Sequence, residues 1–482
     1  MHTHPLTFPY YTKRPQAPHP ISFGTRHKNM DKLSENENLS SEAPSTLSMA
    51  FIVPAAQSEA ADNDARPFSQ NVWGSGQQLA RARTLYFKTV IPGVFLVTFI
   101  IFAIFSIFWG ALWKVPAHPL DGWIVDFDGG EVGQAIMQGL TTLPESTIKW
   151  IVVPATQFPE GVTGLIHAVE DEQAWVAVAI NEQSTQRLES SVSNPSALYD
   201  GTLAVSILGV EARNENAYRN FLAPAVQSYV TAVTHDFNVG FVSRLSSVDN
   251  LSSLLSISPQ TVVSPVSHKF MNLLLFSQPV ATAASFVGLI FLLIMSFLVV
   301  AVSNSARMTS GLARLLTLRS LLAFRLLSSF TTYFFLSLCY SLLNLAFKLD
   351  VYHTFGKSGF LVFWMGAWVY MLAVGLALES LIVLLKQFIA FFLITWIIVN
   401  VSINLFPLEV LPRFFHYGYG APFYSFNKII RTVVFGTKND VGLHFGVLIV
   451  WVAISCTTLV VIQWNERRLE IRDMEQKIKS KN

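Results

Sequence analysis

Apolar residues along this chain gather in long runs separated by short polar flanks. A bilayer core about 30 Å thick is crossed by roughly 20 apolar residues in a helix. Six runs satisfy that requirement: 90–113, 280–302, 326–347, 360–378 (extendable to 385), 388–405 and 441–462. The pattern predicts an α-helical polytopic membrane protein with six transmembrane helices, arranged as one helix, a large intervening segment and then five helices.

The intervening segment, residues 114–279, is long enough for one independently packed domain. Residues 123–128 alternate between apolar and polar and stop at Gly129-Gly130, which is typical of a strand followed by a turn. Two further short strands are predicted at 150–153 and 175–180, and a helix at 215–233 in spite of Pro224. Residues 252–263 fit either type of element. We predict an α+β domain.

Charges separate by position in a way that predicts the orientation. Lysines and arginines lie just before the first run, in the loop after the second run and in the tail after Trp464. The loop contains Arg307, Arg314, Arg319 and Arg325, and Lys386 lies between the fourth and fifth runs. All of these lie on one side if six helices cross the membrane. The segment 114–279 instead has a net charge of −9. Both termini are therefore predicted to be cytoplasmic, and the α+β domain extracytoplasmic. The arginines of the loop serve either as positive-inside anchors or as a docking surface.

These observations divide the chain into five parts. Residues 1–82 have the composition of a disordered cytoplasmic tail and contain no signal-peptide apolar region, so the first helix (83–113) is expected to act as a signal anchor. The α+β domain (114–279), a five-helix membrane domain (280–462) and a basic cytoplasmic tail (463–482) follow.

Residues 406–440 form an outer element that is unusually aromatic for a loop. The aromatic side chains that we single out are Phe414, Tyr417, Tyr419, Phe423 and Tyr424. So much apolar surface is not normally exposed to water. The element is either an aromatic belt at the membrane interface or a re-entrant element at membrane depth that closes a translocation path.

Composition supports the membrane assignment and excludes several other classes. The 482 residues are 51% hydrophobic and only 13% charged, against roughly 25% charged in soluble domains. The net charge of +2 gives no reason to expect a nucleic-acid partner, and two cysteines exclude a disulfide framework or a cysteine-based metal site. Gly356-Lys357-Ser358 resembles the end of a phosphate-binding loop, but the first glycine of that pattern would fall at Val351. We predict no enzyme activity, no cofactor and no metal.

Few ionisable or amide side chains lie inside the apolar runs. Carboxylates at membrane depth are costly and often mark transport paths, so Glu379 is the first candidate for such a path; the alternative is that Glu379 snorkels to the inner interface. Asn344, Asn400 and Asn404 are weaker candidates, with interhelical hydrogen bonding as their alternative. Asn250-Leu251-Ser252 is a candidate glycosylation site if the α+β domain is luminal.

Four segments resemble a known family: WIVDFDGGEVG at 123–133, AWVAVAIN at 174–181, ENAYRNFLAP at 215–224 and PFYSFNKIIRTVVFGTKN at 422–439. They look like the fungal nitrosoguanidine-resistance membrane protein family, of the DUF3533 type. That family is similar to the bacterial phage-infection-protein group and to ABC-2-type permeases. The resemblance covers residues 83–464, and the segment 422–439 is its most specific part.

The resemblance implies a plasma-membrane protein linked to resistance to toxic compounds, through export or through lipid distribution across the bilayer. It brings no catalytic residues. Its partners would be the lipid bilayer, a second copy in a homo-oligomer and an ATPase acting in trans. The alternative is a non-transporting membrane scaffold or sensor whose acidic outer domain binds a partner.

Overall fold

The structure is a computed structural model that describes residues 71–144 and 146–480. Most of the predicted disordered tail, residues 1–70, lies outside the described residues. The first helix, α1 (Gln77–Leu112), begins six residues before the predicted position and includes one π-helical stretch, Ile100–Phe105. Its apolar side chains are largely uncovered by protein, as expected for a helix surrounded by lipid.

Residues 114–279 form a sheet domain. Its elements in chain order are β1 (Leu120–Asp126), α2 (Glu131–Thr142), β2 (Ile148–Val152), α3 (Val162–Glu170), β3 (Val176–Ile180), α4 (Ser184–Ser193), β4 (Val205–Gly209), α5 (Ala223–Leu245), α6 (Leu251–Ile257), α7 (Pro259–Val263) and β5 (His268–Asn272). The three predicted strands are present as β1, β2 and β3, whereas β4 and β5 were not predicted. The predicted helix at 215–233 is present and is extended at its C-terminal end by α5.

The five strands lie in the order β2-β1-β3-β4-β5, and only the β3–β4 pair is antiparallel. Helices α2, α4 and α5 cover one face of the sheet, and α3 covers the other. Parallel neighbours require crossover connections, which α2 and α3 supply. The predicted α+β domain is therefore a mostly parallel sheet with helices on both faces, an arrangement closer to the α/β class than to α+β.

The remaining helices are α8 (Val280–Thr309), α9 (Leu318–Ala346), α10 (Gly356–Leu385), α11 (Ile389–Ser402), α12 (Pro422–Phe435) and α13 (Val441–Lys479). Within the described residues, five helices are long and apolar enough to cross a membrane: α1, α8, α9, α10 and α13. Helix α11 has 14 residues and is about 21 Å long, which is short for a bilayer. The count of six transmembrane helices therefore stays a prediction.

Helix α10 is the centre of the membrane domain, packed against α8, α9, α12 and α13. Gly375 allows α10 and α9 to approach each other closely, because a β-carbon at this position would collide with the ring of Tyr333 on α9. Small residues at helix crossings let membrane helices pack through van der Waals contact. Gly442 and Gly446 on α13 form a Gly-x-x-x-Gly motif, but the structure leaves open space around both.

Helix α12 lies inside the protein rather than on its surface. Twelve of its 14 residues are buried. The ring of Phe426 stacks on Tyr370 of α10, with ring centroids 5.1 Å apart. The regular α-helical part of α10 begins at Gly359, and Tyr370 lies about 17 Å further along the helix axis. At the other end, Phe435 packs 4.6 Å from Phe276, where the sheet domain joins α8. Helix α12 thus packs on α10 through Phe426 and next to the sheet domain through Phe435.

Candidate functional site

Four polar side chains meet at the end of the helix bundle that lies away from the sheet domain. We call Arg307, Arg325, Glu379 and Gln463, from α8, α9, α10 and α13, the arginine cluster. Arg325 donates from Nε to Glu379 Oε1 at 2.7 Å and from Nη2 to the Glu379 carbonyl oxygen at 2.7 Å. Its Nη1 donates to Gln463. Arg307 Nη2 lies 2.7 Å from the same Glu379 oxygen. The Glu379 carboxylate thereby joins α8, α9 and α10, and Arg325 links α13 to them through Gln463.

The arginine cluster is almost completely enclosed. Glu379 is 1% exposed, Arg325 3% and Arg307 5%. The Glu379 side chain is enclosed by protein and does not extend to the surface as snorkelling would require, and the guanidinium groups of Arg307 and Arg325 are buried beside it. Two guanidinium groups share one carboxylate, so the cluster carries a net positive charge in a low-dielectric environment. Burying these charges carries a large desolvation free-energy penalty, and such arrangements are retained where they hold helices together or serve a function.

The other three candidates do not join the arginine cluster. Asn344 and Asn400 are buried, and each donates to a carbonyl four residues earlier in its own helix. Asn404 lies near the sheet domain, where it donates to the Ser285 carbonyl at 3.2 Å and accepts from Asn427 of α12 at 2.6 Å. Ser285 lies in a π-helical stretch of α8, a feature found often at functional sites. The four predicted path residues are therefore split between the two ends of the bundle, and their role in transport stays a prediction.

A second group of charges joins α12 to the sheet domain. We call Glu172, Arg213, Glu215, Lys428 and Arg431 the interface network. Arg431 Nη2 lies 2.7 Å from Glu215 Oε2, and Arg431 also donates to Asn427 and to the Ala212 carbonyl. Lys428 Nζ lies 2.9 Å from Glu172 Oε2. Because these side chains come from both partners, α12 is bonded to the sheet domain as well as packed against α10.

Arg213 completes the interface network. Its guanidinium lies 3.7 Å from the ring centroid of Trp175 and donates to the carbonyls of Glu172 and Ala174. Glu172 itself has a φ of +61°, a strained backbone conformation for a side-chain-bearing residue. A cavity of about 20 Å³ lies beside these groups, between the sheet domain and α12. It has room for about one water molecule.

Glu172 makes the interface network sensitive to acid. Burial alone would raise the pKa of Glu172, but the charges of Lys428 and Arg213 outweigh burial and hold the pKa below its ordinary value of 4.5. A depressed folded-state pKa contributes stability above pH 4.5, and this contribution is lost as the pH falls through the folded-state value.

We expect the melting temperature of the purified protein to fall below pH 4.5 partly through this group. The variant Glu172→Gln should be less stable at pH 7 and should have a flatter profile below pH 4.5. Circular dichroism melts between pH 3 and pH 7 would check this. Parallel profiles for the two proteins would contradict it.

The aromatic residues of the outer element divide into two groups. Phe414, Tyr417 and Tyr419 lie in a 3₁₀-helical stretch, Arg413–Gly420, and are exposed; Phe423 is buried in α12. Tyr424 is partly covered, with its ring 5.6 Å from that of Tyr419 and 5.9 Å from His444. Whether the element is an interfacial belt or a re-entrant element at membrane depth stays a prediction.

Asn250 precedes α6, where its side-chain amide donates to the Val192 carbonyl at 2.8 Å. Its Oδ1 atom is buried without a hydrogen-bond partner. A glycan on Nδ2 would need this side chain to turn outward, so glycosylation stays a prediction.

The comparisons with known proteins agree with a helical membrane protein. An uncharacterized endoplasmic reticulum membrane protein of Saccharomyces cerevisiae is 23% identical over 441 residues, which cover 85% of this chain and 86% of the yeast protein. No solved structure matches the chain. A family model described as a protein of unknown function, DUF3533, matches residues 93–457. This match takes in α1 from residue 93 onward, the sheet domain, both charge networks except Gln463, and α13 as far as residue 457, so the chain is a membrane protein that belongs to the DUF3533 family.

Proposed function

We propose that this protein acts as an ABC-2-permease-like exporter of toxic amphipathic compounds or as a protein that distributes lipids across the membrane. The observation that carries the proposal is the arginine cluster. Ionisable side chains among transmembrane helices are rare and typically mark the paths of substrates or ions. Glu379, Arg307 and Arg325 come from three different long apolar helices, so any relative movement of these helices must rearrange the ion pairs.

Helix α12 supplies a second reason. It is bonded to the sheet domain through Arg431 and Lys428 and packed on α10 through Phe426. A displacement of the sheet domain would therefore be transmitted to the helix that carries Glu379. Alternating exposure of a site to two sides of a membrane requires elements that move together, and these contacts would couple α12 and α10 to the sheet domain.

The proposal includes partners and a location. No nucleotide-binding motif was found in the sequence, so energy would come from an ATPase in trans, with the chain as a homo-oligomer and not itself an enzyme. The resemblance to the nitrosoguanidine-resistance family favours the plasma membrane, whereas the yeast relative is named as an endoplasmic reticulum protein. Positive-inside flanks favour cytoplasmic termini.

A scaffold or sensor remains the second candidate, supported by the sheet domain. This domain has its own hydrophobic core on both faces of the sheet, and it is acidic. In this case the helices would anchor the domain, and the arginine cluster would only stabilise the bundle.

Accumulation of an amphipathic dye such as rhodamine 6G in cells with and without the protein distinguishes the two candidates. Export predicts lower accumulation, and better growth in the presence of a nitrosoguanidine, when the protein is present. Equal accumulation and equal growth, with the protein verified in the membrane, would contradict export and favour the scaffold or sensor.

A further inference from the structure

The sheet domain has a topological switch point between β1 and β3. The chain leaves β1 for β2 on one side, and then crosses back to β3 on the other side of β1. Helices α2 and α3 lie on opposite faces of the sheet as a result. In open sheets of this kind, ligands bind in the crevice outside the carboxyl ends of the strands at the switch point.

A crevice is present at this position. It has a volume of about 390 Å³ and is lined by the loop after β1, the loop after β3 and the first turns of α4. That volume is within the range of small-molecule sites, about 300–1,000 Å³. The crevice is therefore large enough for a ligand of one or two rings.

The two loops that form the crevice are held together in advance. Asp128 accepts from the backbone N–H of Thr185 at 3.0 Å and from its hydroxyl at 2.5 Å. Thr185 in turn accepts from the backbone N–H of Val132 at 3.0 Å. Gly130 is needed here, because a β-carbon would collide with Thr185. Because the walls of the crevice are already fixed, less conformational entropy is lost when a ligand binds.

The lining of the crevice is acidic and has one aromatic wall. Glu182 and Glu189 are exposed, Gln183 and Gln186 offer amides, and Phe127 provides the ring. Among the described residues, no lysine or arginine lines it. The carboxylates of Asp126 and Asp128 accept hydrogen bonds from backbone N–H groups of the turn. The described residues contain no group of three His, Cys, Asp or Glu side chains placed to hold a metal ion. The lining therefore suits a positively charged organic ligand rather than a metal.

The crevice faces away from the helix bundle. The N–H of Ala117, just before β1, donates to the Val410 carbonyl of the outer element at 2.8 Å, and Trp175, just before β3, contacts Arg213 of the interface network. The strands begin next to the membrane domain and end about 20 Å away, given a rise of 3.3 Å per residue. A ligand can thus reach the crevice from solution without entering the helices.

We propose that this crevice binds a small organic cation, an amine whose ammonium group pairs with Glu182 and Glu189 and whose apolar part lies against Phe127. The acidic sheet domain would also raise the local concentration of cations. This inference goes beyond the proposed export function, and each can be wrong without the other.

Binding of tryptamine to the full-length protein in nanodiscs, measured by isothermal titration calorimetry, tests the proposal. Tryptamine should bind, and indole-3-propionate, which is an anion of similar shape, should not. The variant Glu182→Gln/Glu189→Gln should weaken tryptamine binding at least about tenfold, because charge-assisted hydrogen bonds are lost. The variant Gln186→Trp, which fills the crevice without changing its charge, should also weaken it.

The matched control is Asp236→Asn/Asp249→Asn, which removes two exposed acidic charges of the same domain outside the crevice lining. It should bind tryptamine as the unchanged protein does, and melting curves establish that all variants are folded. Absence of tryptamine binding, equal binding of tryptamine and the anion, or equal loss in the control variant would overturn the proposal.

Discussion

Replacing Glu379 with alanine is expected to lower the free energy of unfolding by about 3–5 kcal/mol, the usual cost of removing one partner from a buried ion pair. The carboxylate forms ion pairs with both Arg307 and Arg325, which are buried. Without it, two positive charges would face each other among apolar helices. Unfolding of the purified protein, followed by steric trapping in bicelles, measures this change.

Two further variants establish the cause. Glu470 lies on an exposed part of α13, 3.7 Å from Arg467, and Glu470→Gln should cost less than about 1 kcal/mol, as exposed pairs do. The variant Arg307→Met/Arg325→Met/Glu379→Met should recover most of the stability, because apolar residues often replace buried ion pairs without loss. If Glu379→Ala is as stable as the unchanged protein, the arginine cluster does not hold the bundle together.

Replacing Arg431 with alanine is expected to have the second large effect, also about 3–5 kcal/mol. Arg431 is 3% exposed, forms an ion pair with Glu215 and donates hydrogen bonds to Asn427 and to the Ala212 carbonyl. Its loss leaves Glu215 buried without its cation and weakens the attachment of α12 to the sheet domain, which then depends on the Lys428–Glu172 pair. Hydrogen exchange should become faster in α12 and around Ala212, while α2 and β1 keep their protection.

A double-mutant cycle isolates the pair. Arg431→Ala and Glu215→Gln should be non-additive, with a coupling energy of about 0.5–3 kcal/mol. Lys438→Ala provides the control, because Lys438 follows the same helix but forms a half-exposed pair with Asp440, which contributes at most about 1 kcal/mol. Additive effects of Arg431→Ala and Glu215→Gln would contradict a direct role for this ion pair in joining the sheet domain to α12.

The sequence alone was sufficient to predict the elements that consist of an unbroken run of apolar residues. Unbroken apolar runs located α1, α8, α9, α10 and α13. The apolar run 175–180 located β3, which is buried on both faces. β5 was missed because its residues, His268–Asn272, alternate weakly and are only partly buried. Helix α11 is shorter than the run that predicted it, because the chain turns after Ser402 and Asn404 bonds to α8 and α12.

The charge networks could not be predicted, because their members lie far apart in the chain. Arg307 and Arg325 have the positions of positive-inside flanks, and only the fold reveals that they turn inward to Glu379. Arg431 carried a usable signal: it is a single charge within the apolar run Ile429–Phe435, which is unusual unless a buried partner exists. Its partner Glu215 belongs to the sheet domain, and no sequence period connects the two.

Reconstitution of the purified protein into liposomes tests the proposed transport most directly. Translocation of a fluorescent phospholipid and of rhodamine 6G would be measured with and without added candidate ATPases, for the unchanged protein and for Arg307→Met/Arg325→Met/Glu379→Met. We predict movement of at least one compound by the unchanged protein, and loss of that movement in the folded triple variant. No movement of either compound under any condition, or equal movement by the triple variant, would contradict transport through the arginine cluster.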